Sequence, residues 1–139
     1  MELPMSLPSG ALQGKRIPSE ATAAGAAGLR AFARVAELWH LSVAEQLTLL
    51  GLSSRSTYFK WRKEALVRLP RDTLERISYI LGIYKALQLL LPDTRAADEW
   101  IRRPNDAPVF GGRSALDRML SGNVADLYIV RQYLDAQRG

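Results

Sequence analysis

The sequence predicts an all-α protein. Apolar residues recur at three- and four-residue spacing in one segment after another, and residues that cap or break helices bracket each segment. No stretch sustains the period-two alternation of a half-buried strand.

Residues 1–20, "MELPMSLPSGALQGKRIPSE", carry Pro, Gly and Ser punctuation without any apolar period and are expected to form a flexible tail. From Ala21 to Trp39 an alanine-rich run favours helix, with Leu29, Phe32, Ala33, Ala36 and Trp39 on one face. A second helix is expected over Ser42 to Leu50, closed by Gly51 in a left-handed conformation. Ser53 or Ser54 can cap a third, running to about Leu66. Pro70 marks a boundary, and Asp72 can cap a long fourth helix. That helix places Leu74, Ile77, Ile80, Leu81, Tyr84, Leu87 and Leu91 on its apolar stripe, and Pro92 stops it. Asp93 starts a helix through Trp100 and Ile101 that ends before Pro104, and Ser114 caps the short "ALDRML". Gly122 closes that segment, and a last helix runs through Leu127, Val130 and Leu134. The expected organisation is a tail at 1–20, a first lobe at 21–69 and a second at 70–139.

Composition narrows the function. The chain has 139 residues, 47% hydrophobic and 24% charged, which is the balance of a folded globular protein. It has no cysteine, so disulfides, thiolate zinc sites and cysteine nucleophiles are excluded; a reducing cytoplasm is compatible. The longest apolar run, "ISYILGIYKALQLLL", is interrupted by Lys85 and too short to span a bilayer. The N-terminus has an acid at position 2 and no apolar h-region, so no signal peptide is expected, and no membrane partner.

The net charge of +5 is concentrated. Arg55, Lys60, Arg62, Lys63, Arg68, Arg71 and Arg76 face only Glu64, Asp72 and Glu75 over the same stretch. Such a cluster attracts nucleic acid through its phosphates, or is a solvated surface. "VAEQLTLLGLSSRSTYFKWRKEAL" has the layout of a helix-turn-helix: an amphipathic helix, a Gly-containing turn, a Ser cap, then a polar and basic helix. Tyr58, Trp61 and Ala65 share one face of the third helix; Ser56, Lys60 and Lys63 lie opposite, flanked by Arg55 and Phe59. Arg or Lys there can reach guanine acceptors, and Ser or Thr can reach bases or phosphates. The other reading of these residues is an ordinary αα-corner with an exposed basic face.

Catalysis finds no organised residues. "RPNDAPVFGGRSALDRML" lacks the frame and preceding strand of a phosphate-binding loop; Ser114 and Arg113 could hold an anion, but a helix connector is the favoured reading. His40 has only Glu37 at helical contact spacing, which makes no metal site and suits a helix end. Serines fall at caps and turns, and carboxylates such as Asp98 and Glu99 diverge around a helix. The closing "LYIVRQYLDAQRG" is apolar over more than one side through Tyr128, Ile129, Tyr133 and Leu134, so part of it can serve a partner or the core.

Residues from about Leu47 to Gly139 resemble the Xre/MbcA/ParS antitoxin family. The resemblance rests on "LGLSSRSTYFKWRK", "LPRDTLERISYILGIYKALQLLLPD", "ADEWIRRPN", "FGGRSALDRM" and "YLDAQRG", in that order and spacing. It implies an Xre-like helix-turn-helix lobe followed by a small helical toxin-binding domain, in a bacterial antitoxin that is not an enzyme. It further implies a RES-domain toxin as partner, a protein resembling ADP-ribosyltransferases that consumes or transfers from NAD. The carry-over puts operator DNA on Arg55, Ser56, Thr57, Lys60 and Lys63. It puts the toxin on the stretch from Trp100, with Arg113, Tyr133, Gln137, Arg138 and Gly139; Arg138 and the Gly139 carboxylate would block the toxin's NAD site. Gly-Gly-Arg-Ser then belongs to the binding domain, with no catalytic role, cofactor or metal. Paired half-sites imply a homodimer or a larger hetero-oligomer with toxin that represses its own operon. The rival reading is a stand-alone transcriptional regulator whose C-terminal domain only dimerises.

Overall fold

A computed structural model of the chain describes residues 21–139. The tail expected at 1–20 lies outside the described residues. The chain runs through α1 (Ala23–Leu38), α2 (Val43–Leu50), α3 (Arg55–Arg62), α4 (Arg71–Leu90) and α5 (Thr94–Glu99). A 3₁₀ turn (Trp100–Arg102), α6 (Ala115–Met119) and α7 (Val124–Gln137) complete it. Among the described residues there is no strand, only isolated antiparallel bridges joining Thr22 to Val67 and Pro104 to Ser114. The all-α expectation holds.

Local chemistry sets most boundaries. Thr22 Oγ1 accepts the Gly25 N–H at 2.7 Å, and Ser54, Asp93 and Ser114 cap α3, α5 and α6 in the same way. Gly51 closes α2 at φ 70°, a left-handed conformation open to glycine without strain. Three expectations are corrected. α3 stops at Arg62, four residues short of Leu66, because the backbone turns so that Val67 can exchange two hydrogen bonds with Thr22, at 3.0 and 3.2 Å. Ala65 therefore lies outside the helix and is exposed, rather than sharing a packed face with Tyr58. Asp72 does not cap α4; Pro70 occupies that position, and Asp72 pairs with Arg76 at 2.8 Å.

The apolar stripe of α4 is also redrawn. Its buried residues are Thr73, Arg76, Ile77, Ile80, Ile83, Ala86 and Leu87, whereas Leu74 is 45% exposed. The cause is two-sided packing: α4 lies against α1 and against α7, so a wide arc of its circumference is covered. One continuous apolar cluster results, from Ala26, Leu29 and Phe32 on α1, through Ile80 and Ile83, to Leu127, Val130 and Leu134 on α7. Gly82 serves this packing, since the Arg131 guanidinium lies where a Cβ at position 82 would stand.

Two arginines hold the corners. Arg76, read from sequence as part of the basic surface, is only 8% exposed. It donates to Asp72 Oδ2 at 2.8 Å, to the Gly122 carbonyl at 2.8 Å and to the Thr48 carbonyl at 3.4 Å. Arg118 donates to Asp126 Oδ1 at 2.9 Å and to the Val109 carbonyl, while Ser121 Oγ donates to Asp126 Oδ2 at 2.5 Å. The Ser121 hydroxyl bond, aided by Arg118 and Asn123 against an opposing effect of burial, holds the Asp126 carboxyl below its ordinary pKa of 3.8.

Because α4 is shared, unfolding is expected to be a single transition. Ile83→Ala should cost about 2–5 kcal/mol, and denaturant curves followed by tryptophan fluorescence and by helical circular dichroism should still coincide. Two separated transitions would contradict one shared core. Asp126 has a depressed folded-state pKa, so its stabilisation is complete above the ordinary carboxylate range and lost as pH falls through the folded value. Asp126→Asn should lower the melting temperature by a few degrees at neutral pH, with the gap to the parent protein closing in strong acid.

Candidate nucleic-acid and partner interfaces

The α2–turn–α3 unit is built from caps and one buried tyrosine. Ser42 and Glu45 form a reciprocal capping box, at 2.8 and 3.1 Å, that starts α2. Ser54 Oγ accepts the Thr57 N–H at 3.2 Å to start α3. Tyr58, fully buried, donates its hydroxyl to Gln46 Oε1 at 2.5 Å. Gln46 Nε2 in turn donates to the Leu41 carbonyl at 3.0 Å. Burial raises the Tyr58 pKa above 10.0, partly offset by Arg62, so the hydroxyl remains a donor at neutral pH. The register of α3 on α2 is fixed by this bond and by the packing around it.

The opposite face of α3 is open. Arg55, Ser56, Lys60 and Lys63 are exposed and Thr57 is half-buried. Ser56, Lys60 and Lys63 follow one another on a single stripe, as the spacing requires. Neither lysine enters a salt bridge among the described residues. The Arg55 and Arg62 guanidiniums each lie 5.5 Å from the Phe59 ring centre, and Arg62 lies 5.6 Å from that of Tyr58. Arg62 belongs to this surface, although the sequence reading named it only within the charge cluster. Its three-residue spacing from Phe59 was the available signal.

A second surface forms where the 3₁₀ turn, the following loop and α7 meet. Trp100 stacks on Tyr133 with ring centres 6.3 Å apart and planes at 21°. Phe110 meets both rings edge-on, at 6.0 Å from Trp100 and 5.1 Å from Tyr133. Sequence reading had named Trp100 and Tyr133 but not the Phe110 that joins them. Arg113 is exposed, 3.5 Å from Asp117, and lines a shallow cavity of about 210 Å³ with Phe110, Ser114 and Arg118. The loop before it is closed on itself: Asn105 N–H donates to the Arg113 carbonyl at 3.0 Å and Gly112 N–H to the Asn105 carbonyl at 2.9 Å. Gly-Gly-Arg-Ser thus joins two helices through a tied turn.

Gln137 ends α7, and Arg138 and Gly139 continue its hydrogen bonding, to the Leu134 carbonyl at 3.2 Å and the Ala136 carbonyl at 3.3 Å. All three are exposed, one turn beyond Tyr133. His40 follows the end of α1 and is exposed. Among the described residues no three His, Cys, Asp or Glu side chains cluster as metal ligands, and no helix is long and apolar enough to cross a membrane.

Residues 19–82 match the family described as antitoxin Xre-like helix-turn-helix domain, and residues 86–139 match the antitoxin Xre/MbcA/ParS C-terminal toxin-binding domain. Both describe antitoxin domains and neither an enzyme. A relative from Sinorhizobium fredii (strain NBRC 101917 / NGR234), named "Uncharacterized protein y4oB", is 57% identical over 122 residues, covering 88% of this chain and 92% of its own. Taken together, the two matches span most of the chain and place it in the Xre/MbcA/ParS antitoxin family.

Proposed function

We propose that this antitoxin neutralises a RES-domain toxin, one that consumes NAD or transfers ADP-ribose from it, and represses its own operon. The observation that carries the reading is the exposed Gln137–Gly139 segment, projecting one turn past the Trp100–Phe110–Tyr133 cluster within the region that matches a toxin-binding domain. The cluster and Arg113 supply a docking face, and Gln137, Arg138 and Gly139 reach into the toxin's NAD site. A short segment on the end of a rigid helix is ordered before it binds, which lowers the entropic cost of docking.

Residues 21–69 carry the DNA-reading surface in this account and 70–139 the toxin-binding one. Arg55, Ser56, Thr57, Lys60 and Lys63 contact the operator, with Arg62 beside them. Two copies, either as a homodimer or bridged by toxin, engage paired half-sites. The setting is the cytoplasm, where toxin and operator are both found.

Co-expression with the adjacent open reading frame, followed by co-purification and an assay of NAD loss, tests the toxin. Removing Gln137–Gly139 should leave the fold and the complex intact while restoring NAD loss; full inhibition by the shortened chain would defeat tail insertion. Absence of any complex would favour a stand-alone regulator. Lys60→Ala and Lys63→Ala should each weaken operator binding and flatten the slope of log affinity against log salt by about 0.9, one phosphate contact. An unchanged slope would remove them from the DNA surface.

A further inference from the structure

The 3₁₀ turn Trp100–Arg102 faces two ways. Trp100 lies in the aromatic cluster and Ile101 is buried, while the Arg102 side chain crosses to the corner between α1 and α2. Its Nη2 donates to the His40 carbonyl at 2.9 Å and to the Trp39 carbonyl at 3.0 Å; its Nε reaches the same Trp39 oxygen at 3.3 Å. Glu45, the acid of the α2 capping box, lies 3.8 Å away.

That corner needs a clamp. The Leu41 N–H donates to the Ala36 carbonyl at 2.9 Å and the His40 N–H to the Glu37 carbonyl at 3.1 Å, the two bonds of a Schellman turn. The left-handed residue of such a turn is usually glycine, yet here it is His40, at φ 56°. A side chain with several donors on a planar fork can hold both flanking carbonyls together, and Arg102 does so. One residue further along the backbone, the Leu41 carbonyl accepts from Gln46, and Gln46 accepts from Tyr58, which ties the corner to α3.

We infer that Arg102, supplied by the toxin-binding half, is a positioning residue for the DNA-reading helix. It holds the α1–α2 corner in its strained turn and, through Leu41, Gln46 and Tyr58, sets how α3 presents Ser56, Lys60 and Lys63. It touches no phosphate itself. The inference rests on the reading of α3 as a DNA surface, and its test separates the two.

The probe is a duplex spanning the promoter region of the chain's own gene, titrated with full-length protein at several salt concentrations. Arg102→Ala should lower affinity about tenfold, the equivalent of one charge-assisted hydrogen bond, at an unchanged salt slope. Arg102→Lys should recover part of the loss. His40→Gly should restore binding in the Arg102→Ala background, because glycine adopts the turn without a clamp. A slope reduced by about one phosphate would make Arg102 a direct contact and overturn the inference, as would unchanged affinity or failure of His40→Gly to rescue. Hydrogen exchange reads the same chain without DNA. Arg102→Ala should speed exchange at the Gln46 and Tyr58 amides and leave those of Leu127 and Val130 in α7 unchanged; full protection at Gln46 and Tyr58 would overturn the inference. If the parent protein binds no duplex while exchange responds in this way, the DNA reading fails and the positioning of α3 by Arg102 stands.

Discussion

Everything in this protein leans on α4. Its twenty residues are packed by α1 on one side and by α7 on another, with Ile80, Ile83 and Ala86 wholly removed from solvent. A fully buried isoleucine contributes about 1.5–3 kcal/mol through burial alone, and α4 places such residues in a core shared by both halves. The α2–α3 unit is short, with eight residues in each helix, and gains support from α4 through Thr73, whose hydroxyl donates to the Leu50 carbonyl at 2.9 Å. Short helices of this kind owe their stability to tertiary packing more than to propensity.

The chain uses arginine as an internal connector. Arg76, Arg102 and Arg118 each donate to main-chain carbonyls of other segments: Thr48 and Gly122, and Trp39 and His40, far off in sequence, and Val109 in the neighbouring loop. Those oxygens lie near helix ends and in turns, where intrahelical donors run out. A guanidinium satisfies several at once, and the acceptors around it offset the cost of burial at buried Arg76 and half-buried Arg118, while Arg102 does the same from an exposed position. Part of the basic excess is therefore spent inside the fold.

How much of this was legible follows from range. Caps were largely readable because they act over three residues: Ser54, Asp93 and Ser114 serve as expected, whereas Ser42, read as the first residue of its helix, proves to be a cap paired with Glu45, and Asp72 does not cap. The end of α3 was not, because it depends on Val67 pairing with Thr22, residues that only the tertiary fold brings together. A helix covered from two sides defeats a single-stripe reading, which is why Leu74 was placed inside and Ile83 and Arg76 were missed. At the candidate site, the Ser56–Lys60–Lys63 stripe follows from helical spacing, and Trp100 and Tyr133 do meet. Phe110 was overlooked because it sits in an irregular loop with no period to read.

The position of α4 also bears on how such antitoxins can exchange parts. The two matched regions, 19–82 and 86–139, adjoin within α4 itself, a helix that runs unbroken from Arg71 to Leu90. A recombination event that swapped one DNA-reading module for another would have to join two half-helices whose inner faces already fit α1 and α7. On the positioning role inferred for Arg102, it would also need an arginine there to meet the foreign corner. Modular in sequence, the protein is a single mechanical piece, so, on the proposed DNA-reading role of α3, new operator specificity should arise by substitution on its open face more readily than by shuffling of whole domains.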